Sequence, residues 1–277
     1  MIRITDTEFR VTAAYVYELT GIHLEADKKY LLETRFAGLL EELRCVSFSE
    51  FLFRVKSDRS KHLARQVIDA ITTNETLFFR DASPFALLRN KLVPELLDRR
   101  SGGPGRQRLR VWSAASSSGQ EAYSVAITLG DLLGDLSRYD IKILGTDISS
   151  NAVARASAGT YNLFEVERGM PPGVLERHFI RNEAQWTVRA ELRRLCTFHQ
   201  RNLHEPFTTL GRFDIILCRN VAIYFKPDDR RSLFDRLGGA LEPHGALLVG
   251  SSEFLTGVSE RFVARRHGKT VYYEKAA

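Results

Sequence analysis

The chain has 277 residues, 44% of them hydrophobic and 27% charged, with a formal net charge of +6. That is enough apolar material for one large domain and a smaller one, and the modest basic excess, most of it after residue 100, suits an acidic partner without demanding one. Cys45, Cys196 and Cys218 form no CxxC pair, the seven histidines form no HExxH, the start MIRITDTEFR is too polar for a signal peptide, and no apolar run reaches spanning length. A disulfide scaffold, a metal centre and membrane insertion are thereby disfavoured, and a soluble cytoplasmic protein with reduced thiols is expected.

Residues 1 to about 71 read as an all-helical N-terminal domain. Phe9, Val16, Leu19 and Ile22 suit one helix ending near Gly21. Leu31, Leu32, Phe36, Leu39, Leu40 and Leu43 give a 3.6-residue stripe on a second, and Phe48, Phe51, Leu52 and Val55 begin a third, capped by Ser47 or Ser49. A fourth covers Leu63 to Ile71. The linker 72–83 contains TTNETLFFRD, which fits no simple period and reads as a helix cap beside a buried aromatic anchor that joins two domains. A helix from Pro84 to Arg99 and a flexible loop, Ser101 to Gly105, follow. Two basic clusters, Arg54 to Arg65 and Arg99 to Arg110, read first as solvated faces.

From Leu109 the pattern becomes α/β. Leu109, Val111 and Trp112 form a strand, Ala114 to Gly119 a small-residue turn, and a helix with Glu121 in its first turn comes next. A second strand, Ile141 to Leu144, leads to Asp147, the position that binds ribose hydroxyls in nucleotide-binding α/β folds, while Ser149 or Ser150 suits a helix cap. The βαβ rhythm then breaks. A short helix from Pro171 to Phe179 and the alternating stretches around Trp186, Val188, Leu195 and Phe198 predict a small antiparallel β insertion over about 162–200. Phe213 to Cys218 reads as a central parallel strand, Asp228 to Leu241 as a helix and Gly245 to Gly250 as another strand. The end, 262–274, is a hairpin turning at His267-Gly268-Lys269. A mostly parallel sheet closing in an antiparallel hairpin is the Rossmann-like layout of class I S-adenosylmethionine methyltransferases, here over 72–277.

The first turn narrows the ligand. It lacks G-x-G-x-x-G, no G-x-x-x-x-G-K-[ST] occurs, and Glu121 would bring negative charge towards a phosphate. A nucleoside without phosphate but with an amino group fits better. S-adenosylmethionine offers ribose hydroxyls to Asp147 and an α-amino group to Glu121.

TTNETLFFRD, VWSAASSSGQEAYSVA, GTDIS, Asn202-Leu203, CRNVAIYF and GSSE occur in the order found in the CheR family of chemotaxis receptor glutamate methyltransferases, and the chain resembles that family throughout its length. The resemblance implies a reaction that converts receptor glutamates to methyl esters and S-adenosylmethionine to S-adenosylhomocysteine. It implies cofactor contacts from Asn74, Thr76, Arg80, Glu121, Asp147, Asn202, Leu203, Arg219 and Asn220, with Arg80 and Tyr224 at the methyl-transfer centre. The partner it implies is the cytoplasmic helical domain of a chemoreceptor. A nucleic-acid partner would call for base-stacking elements that are not evident, and the intact Arg80, Glu121, Asp147 and Tyr224 speak against a non-catalytic scaffold. Three departures stand out. Gln120 and Ala122 replace an acid and a proline of the family motif. Lys28, Lys29, Arg35 and Arg44 are balanced by Asp27, Glu33, Glu41 and Glu42 where the family shows a basic helix, which moves the expected receptor contact towards Arg54–Arg65. The insertion lacks a glycine-rich stretch, so independence from a receptor-tail pentapeptide is expected.

Overall fold

The computed structural model describes residues 2–101, 103 and 105–276. Helices α1 (Asp6–Thr20), α2 (Lys29–Arg35), α3 (Ala37–Glu42), α4 (Phe48–Ser57) and α5 (His62–Ile71) enclose their own core around Phe36, Phe48, Phe51 and Val67. Thr5 and Glu8 close a capping box on α1, Gly21 ends it at φ +74°, and Ser47 caps α4 by accepting from Glu50 N. The single helix expected from the Leu31–Leu43 stripe is broken in two. The chain bends at Phe36, which is fully buried against Phe51, and Gly38 beside the bend is a weak helix former.

The predicted Pro84–Arg99 helix is α6 (Ser83–Leu87) and α7 (Val93–Arg99) joined by a π turn at Leu88–Leu92. Pro94 has no N–H to give the carbonyl of Asn90, and the widened turn absorbs that loss. Gly102 and Pro104 of the expected flexible loop lie outside the described residues. The arginines around them are not a bare solvated face. Arg100 forks onto Asp214 (2.5 and 3.1 Å), Arg108 pairs with Glu242 (2.7 Å) and Arg110 with Asp140. Asp214 is fully buried in a central strand and also accepts from Arg110 N, so losing Arg100 would strand a carboxylate.

The main sheet has seven strands in the order β6 (Cys196–Gln200), β2 (Tyr139–Asp147), β1 (Gln107–Ala114), β7 (Phe213–Cys218), β8 (Leu241–Val249), β10 (Thr270–Lys275) and β9 (Phe262–His267). It is parallel from β6 to β8 and antiparallel at β10 and β9. Successive side chains of β1 enter different cores. Val111 packs on one face with Tyr123, Val125 and Leu129 of α8 (Gln120–Leu133), and Trp112 on the other with Phe234 and Leu237 of α13 (Pro227–Ala240). The strand order reverses at β1, so a crevice opens beyond its carboxyl end.

A second, antiparallel sheet holds β3 (Thr160–Asn162), β5 (Gln185–Val188) and β4 (Phe179–Asn182), with α9 (Ser150–Ala158), α10 (Leu163–Glu167), α11 (Val174–His178) and α12 (Ala190–Arg193) around it. Cys196–Gln200, expected in this insertion, belongs instead to the main sheet as a parallel edge strand. Its alternation is that of an edge. The Phe198 ring fills the space over Gly145, where a Cβ would stand 2.4 Å away, while neighbouring residues face outward. No helix among the described residues is long and apolar enough to cross a membrane.

The helical domain is fastened to the sheet domain at several points. Tyr17 Oη donates to Asp229 (2.6 Å), Asn202 Nδ2 to Leu19 O (3.0 Å), His23 N to Tyr224 O (2.9 Å), and the hydroxyls of Ser149 and Ser150 to Asp69.

Candidate active site

β1 delivers the chain into a tight turn of small residues. Ala115 and Ser117 stand at φ 61° and 49°, and Gly119 at 94°. A Cβ on Gly119 would meet that of Ala156 at 2.9 Å. The turn points Ser117 N at Asp147 Oδ2 (2.8 Å), and Ser149 N reaches Oδ1 (2.9 Å). Asp147 is 7% exposed, and burial raises its pKa against the pull of these amides. Ser149 also caps α9, as expected, by accepting from Ala152 N.

A different arrangement surrounds Glu121. Its Oε1 accepts from Ser113 Oγ (2.7 Å) and its Oε2 from Arg219 Nη1 (2.9 Å). The Arg219 side chain, 2% exposed, spends its other fork on Asp81 (2.6 Å) and on the carbonyl of Arg80 (2.9 Å). Two carboxylates share one buried guanidinium, leaving a net negative charge suited to a cationic ligand.

The linker is pinned by that fork and by its aromatics. Phe78 is fully buried, edge-on to Tyr161 and Phe179 at 5.0 and 5.4 Å, so the anchor read from the sequence is present. The expected side-chain cap is absent, for α6 starts after Ala82 with no such bond. Phe79, Asp81 and Ala82 are left-handed, at φ 52°, 66° and 39°. So is Asn220, at 58°. It is held by Glu253, a 7% exposed carboxylate that accepts from Asn220 N (2.6 Å), Val221 N (3.2 Å) and Gly250 N (2.8 Å). Six of the nine non-glycine left-handed residues among those described thus lie at the first turn, the linker and the Asn220 loop.

One cavity of about 550 Å³ is lined by all ten residues singled out from the sequence: Asn74, Thr76, Arg80, Glu121, Asp147, Asn202, Leu203, Arg219, Asn220 and Tyr224. The helical domain supplies part of the wall through Thr20, Ile22, His23 and Leu31. Arg80 is half-buried, with Nη1 donating to Glu75 O (3.3 Å), and Tyr224, 37% exposed, sits on a 3-10 turn at Ala222–Tyr224. Asn202 has its side chain committed to Leu19 O and His204 N, and Leu203 packs into the Trp112 core. Sequence reading assigned no role to Asp81, Ser113, Ser117 or Glu253. Asp81 and Glu253 stand inside TTNETLFFRD and GSSE, which was the available signal.

The residues present fit S-adenosylmethionine. Asp147 can accept ribose hydroxyls, the Glu121 end is negative, and Ser116 Oγ, buried at the cavity wall, has no partner among the described residues. No group of three or more His, Cys, Asp or Glu among them is placed to hold a metal ion.

Fold and site together define a class I S-adenosylmethionine methyltransferase. The family model described as CheR methyltransferase, SAM binding domain, matches residues 74–271, and that described as CheR methyltransferase, all-alpha domain, matches 7–72. The chain is 36% identical to chemotaxis protein methyltransferase 1 of Pseudomonas aeruginosa, over 93% of both chains. It is equally identical to chemotaxis protein methyltransferase 1 of Vibrio cholerae, over 99% of this chain and 98% of that one. Among solved structures, the glycopeptide N-methyltransferase MtfA complexed with S-adenosylmethionine is similar over 65% of this chain and 63% of its own, at 18% identity and a TM-score of 0.33, too loose to add to the assignment. The chain belongs to the CheR methyltransferase family, and S-adenosylmethionine is its cofactor.

Proposed function

We propose that the protein methylates glutamate side chains on the cytoplasmic helical domain of a chemoreceptor, as a protein-glutamate O-methyltransferase working in the cytoplasm. The observation that carries this reading is the joining of Arg80 and Tyr224 with Glu121 and Asp147 in one cavity walled by both domains. The relatives' name, chemotaxis protein methyltransferase, agrees with it.

Bound in this cavity, S-adenosylmethionine supplies an electrophilic methyl group. Asp147 holds the ribose, and Glu121, backed by Arg219, holds the α-ammonium. Asn74, Thr76, Asn202, Leu203 and Asn220 shape the remainder, the first two from the linker. A glutamate carboxylate, with an ordinary pKa of about 4.3, arrives ionised and needs no base. Arg80 and Tyr224 orient it, and the helical-domain residues that wall part of the cavity limit the access of water. Independence from a receptor-tail pentapeptide is part of the proposal. It is supported by the β4–β5 hairpin, where only Glu183 and Ala184 separate the strands and no glycine-rich extension is present to grip a peptide.

Labelled S-adenosylmethionine and receptor-bearing membranes provide the test. Base-labile label released as volatile methanol is expected. Alkali-stable label, or label transferred to RNA instead, would refute the substrate assignment. Micromolar binding of a receptor-tail pentapeptide in calorimetry would refute independence from it.

A further inference from the structure

Asp69 lies outside the cavity, near the end of α5, yet it touches the loop that carries the ribose acid. Its Oδ1 accepts from Ser149 Oγ at 2.6 Å and its Oδ2 from Ser150 Oγ at 3.1 Å. Ser149 is fully buried and does three things at once. Its hydroxyl hydrogen goes to Asp69, its hydroxyl oxygen caps α9 through Ala152 N (3.1 Å), and its own N–H holds Asp147 Oδ1 (2.9 Å). With the proton directed at Asp69, the lone pairs of the hydroxyl face the helix, which fixes the backbone that aims the amide at Asp147. The Asp69 carboxylate also faces the amino end of α9, where negative charge is favoured.

We infer that Asp69 is a positioning residue through which the helical domain sets the affinity of the cofactor site. The inference rests on Asp147 being the ribose acid. Burial is the main reason Asp147 holds its proton more tightly than an ordinary aspartate, and the Asp69 charge adds to it, a like-charge effect that the hydrogen-bonded relay through Ser149 outweighs. Coupling of this kind is reciprocal: cofactor binding must tighten the α5–α9 contact by the same factor.

Calorimetric titration of the full chain with S-adenosylhomocysteine tests it. Asp69→Asn keeps the shape but offers one good acceptor to two hydroxyls, and is expected to weaken binding about tenfold, seen in turnover as a raised cofactor KM rather than a lowered kcat. Ser149→Ala reads the same relay from the other end and is expected to weaken binding similarly. Added to Asp147→Asn, the Asp69→Asn change is expected to cost nothing more, because its path runs through that carboxylate. Tyr17→Phe deletes an equally short interdomain hydrogen bond, to Asp229, and is expected to bind normally. Unaltered affinity in Asp69→Asn and Ser149→Ala, losses that multiply in the double variant, or an equal loss in Tyr17→Phe would overturn the inference. Normal binding by Asp147→Asn alone would instead remove the ribose assignment and the inference with it.

Discussion

Of the carboxylates that line the cavity, Asp147 and Glu121 are held by opposite means. Asp147 is gripped by the backbone N–H groups of Ser117 and Ser149, whereas Glu121 is gripped by a guanidinium that it shares with Asp81. Amides fix a carboxylate without cancelling its charge, so lone pairs remain for neutral hydroxyls. A shared cation cancels half of a doubled charge, so the surplus can receive a second cation. The two acids therefore differ in what they can receive, neutral hydroxyls at Asp147 and a cation at Glu121.

The difference can be broken most severely at Arg219. Its replacement by Ala leaves Glu121 and Asp81 facing each other without their shared cation, and a loss of about 3–5 kcal/mol in unfolding free energy is expected by urea denaturation. A small change in midpoint would show that the cation is dispensable. Asp147→Asn strikes the other side and should spare more of the fold while weakening S-adenosylhomocysteine by about 1.5–3 kcal/mol in calorimetry. The pH dependence sharpens the contrast. Because burial raises the Asp147 pKa, the ionised acceptor is lost, and binding should fall, at a higher pH than the ordinary aspartate value of about 3.9 would give. Asp147→Asn should lack that limb. Stability carries the opposite sign, for the contribution of this carboxyl is full below its unfolded value and is lost as pH rises through the folded one. The smallest effect belongs to Tyr224→Phe, where losing one hydroxyl should lower kcat by about 0.5–1.5 kcal/mol in apparent barrier at saturating cofactor, with S-adenosylhomocysteine affinity kept. Full turnover would remove Tyr224 from the carboxylate.

The sequence made one half of this comparison easier to read than the other. Asp147 follows an apolar strand and Glu121 a run of small residues, and both signals are local. The cation between Glu121 and Asp81 is not local, because Arg219 comes from the end of β7, nearly a hundred residues beyond Glu121. Asp69 was hidden for the same reason: within α5 it is an ordinary polar residue, and only domain packing gives it Ser149. Alternation around Leu195 and Phe198 signalled a strand but could not assign its sheet, since an edge strand and an antiparallel insertion both alternate. The break at Phe36 left the apolar stripe intact, so the stripe could not reveal it.

The left-handed residues of the cavity wall have a consequence for the protein's lifetime. Ala115 and Ser117 are held against their own preference, at about 1–3 kcal/mol each, within a fold whose whole margin is about 5–15 kcal/mol. Such loops are the first to open, and a ligand that grips them adds stability in proportion to its saturation. Abundance would then track the supply of S-adenosylmethionine: starved of it, a cell would degrade the molecules it could not use.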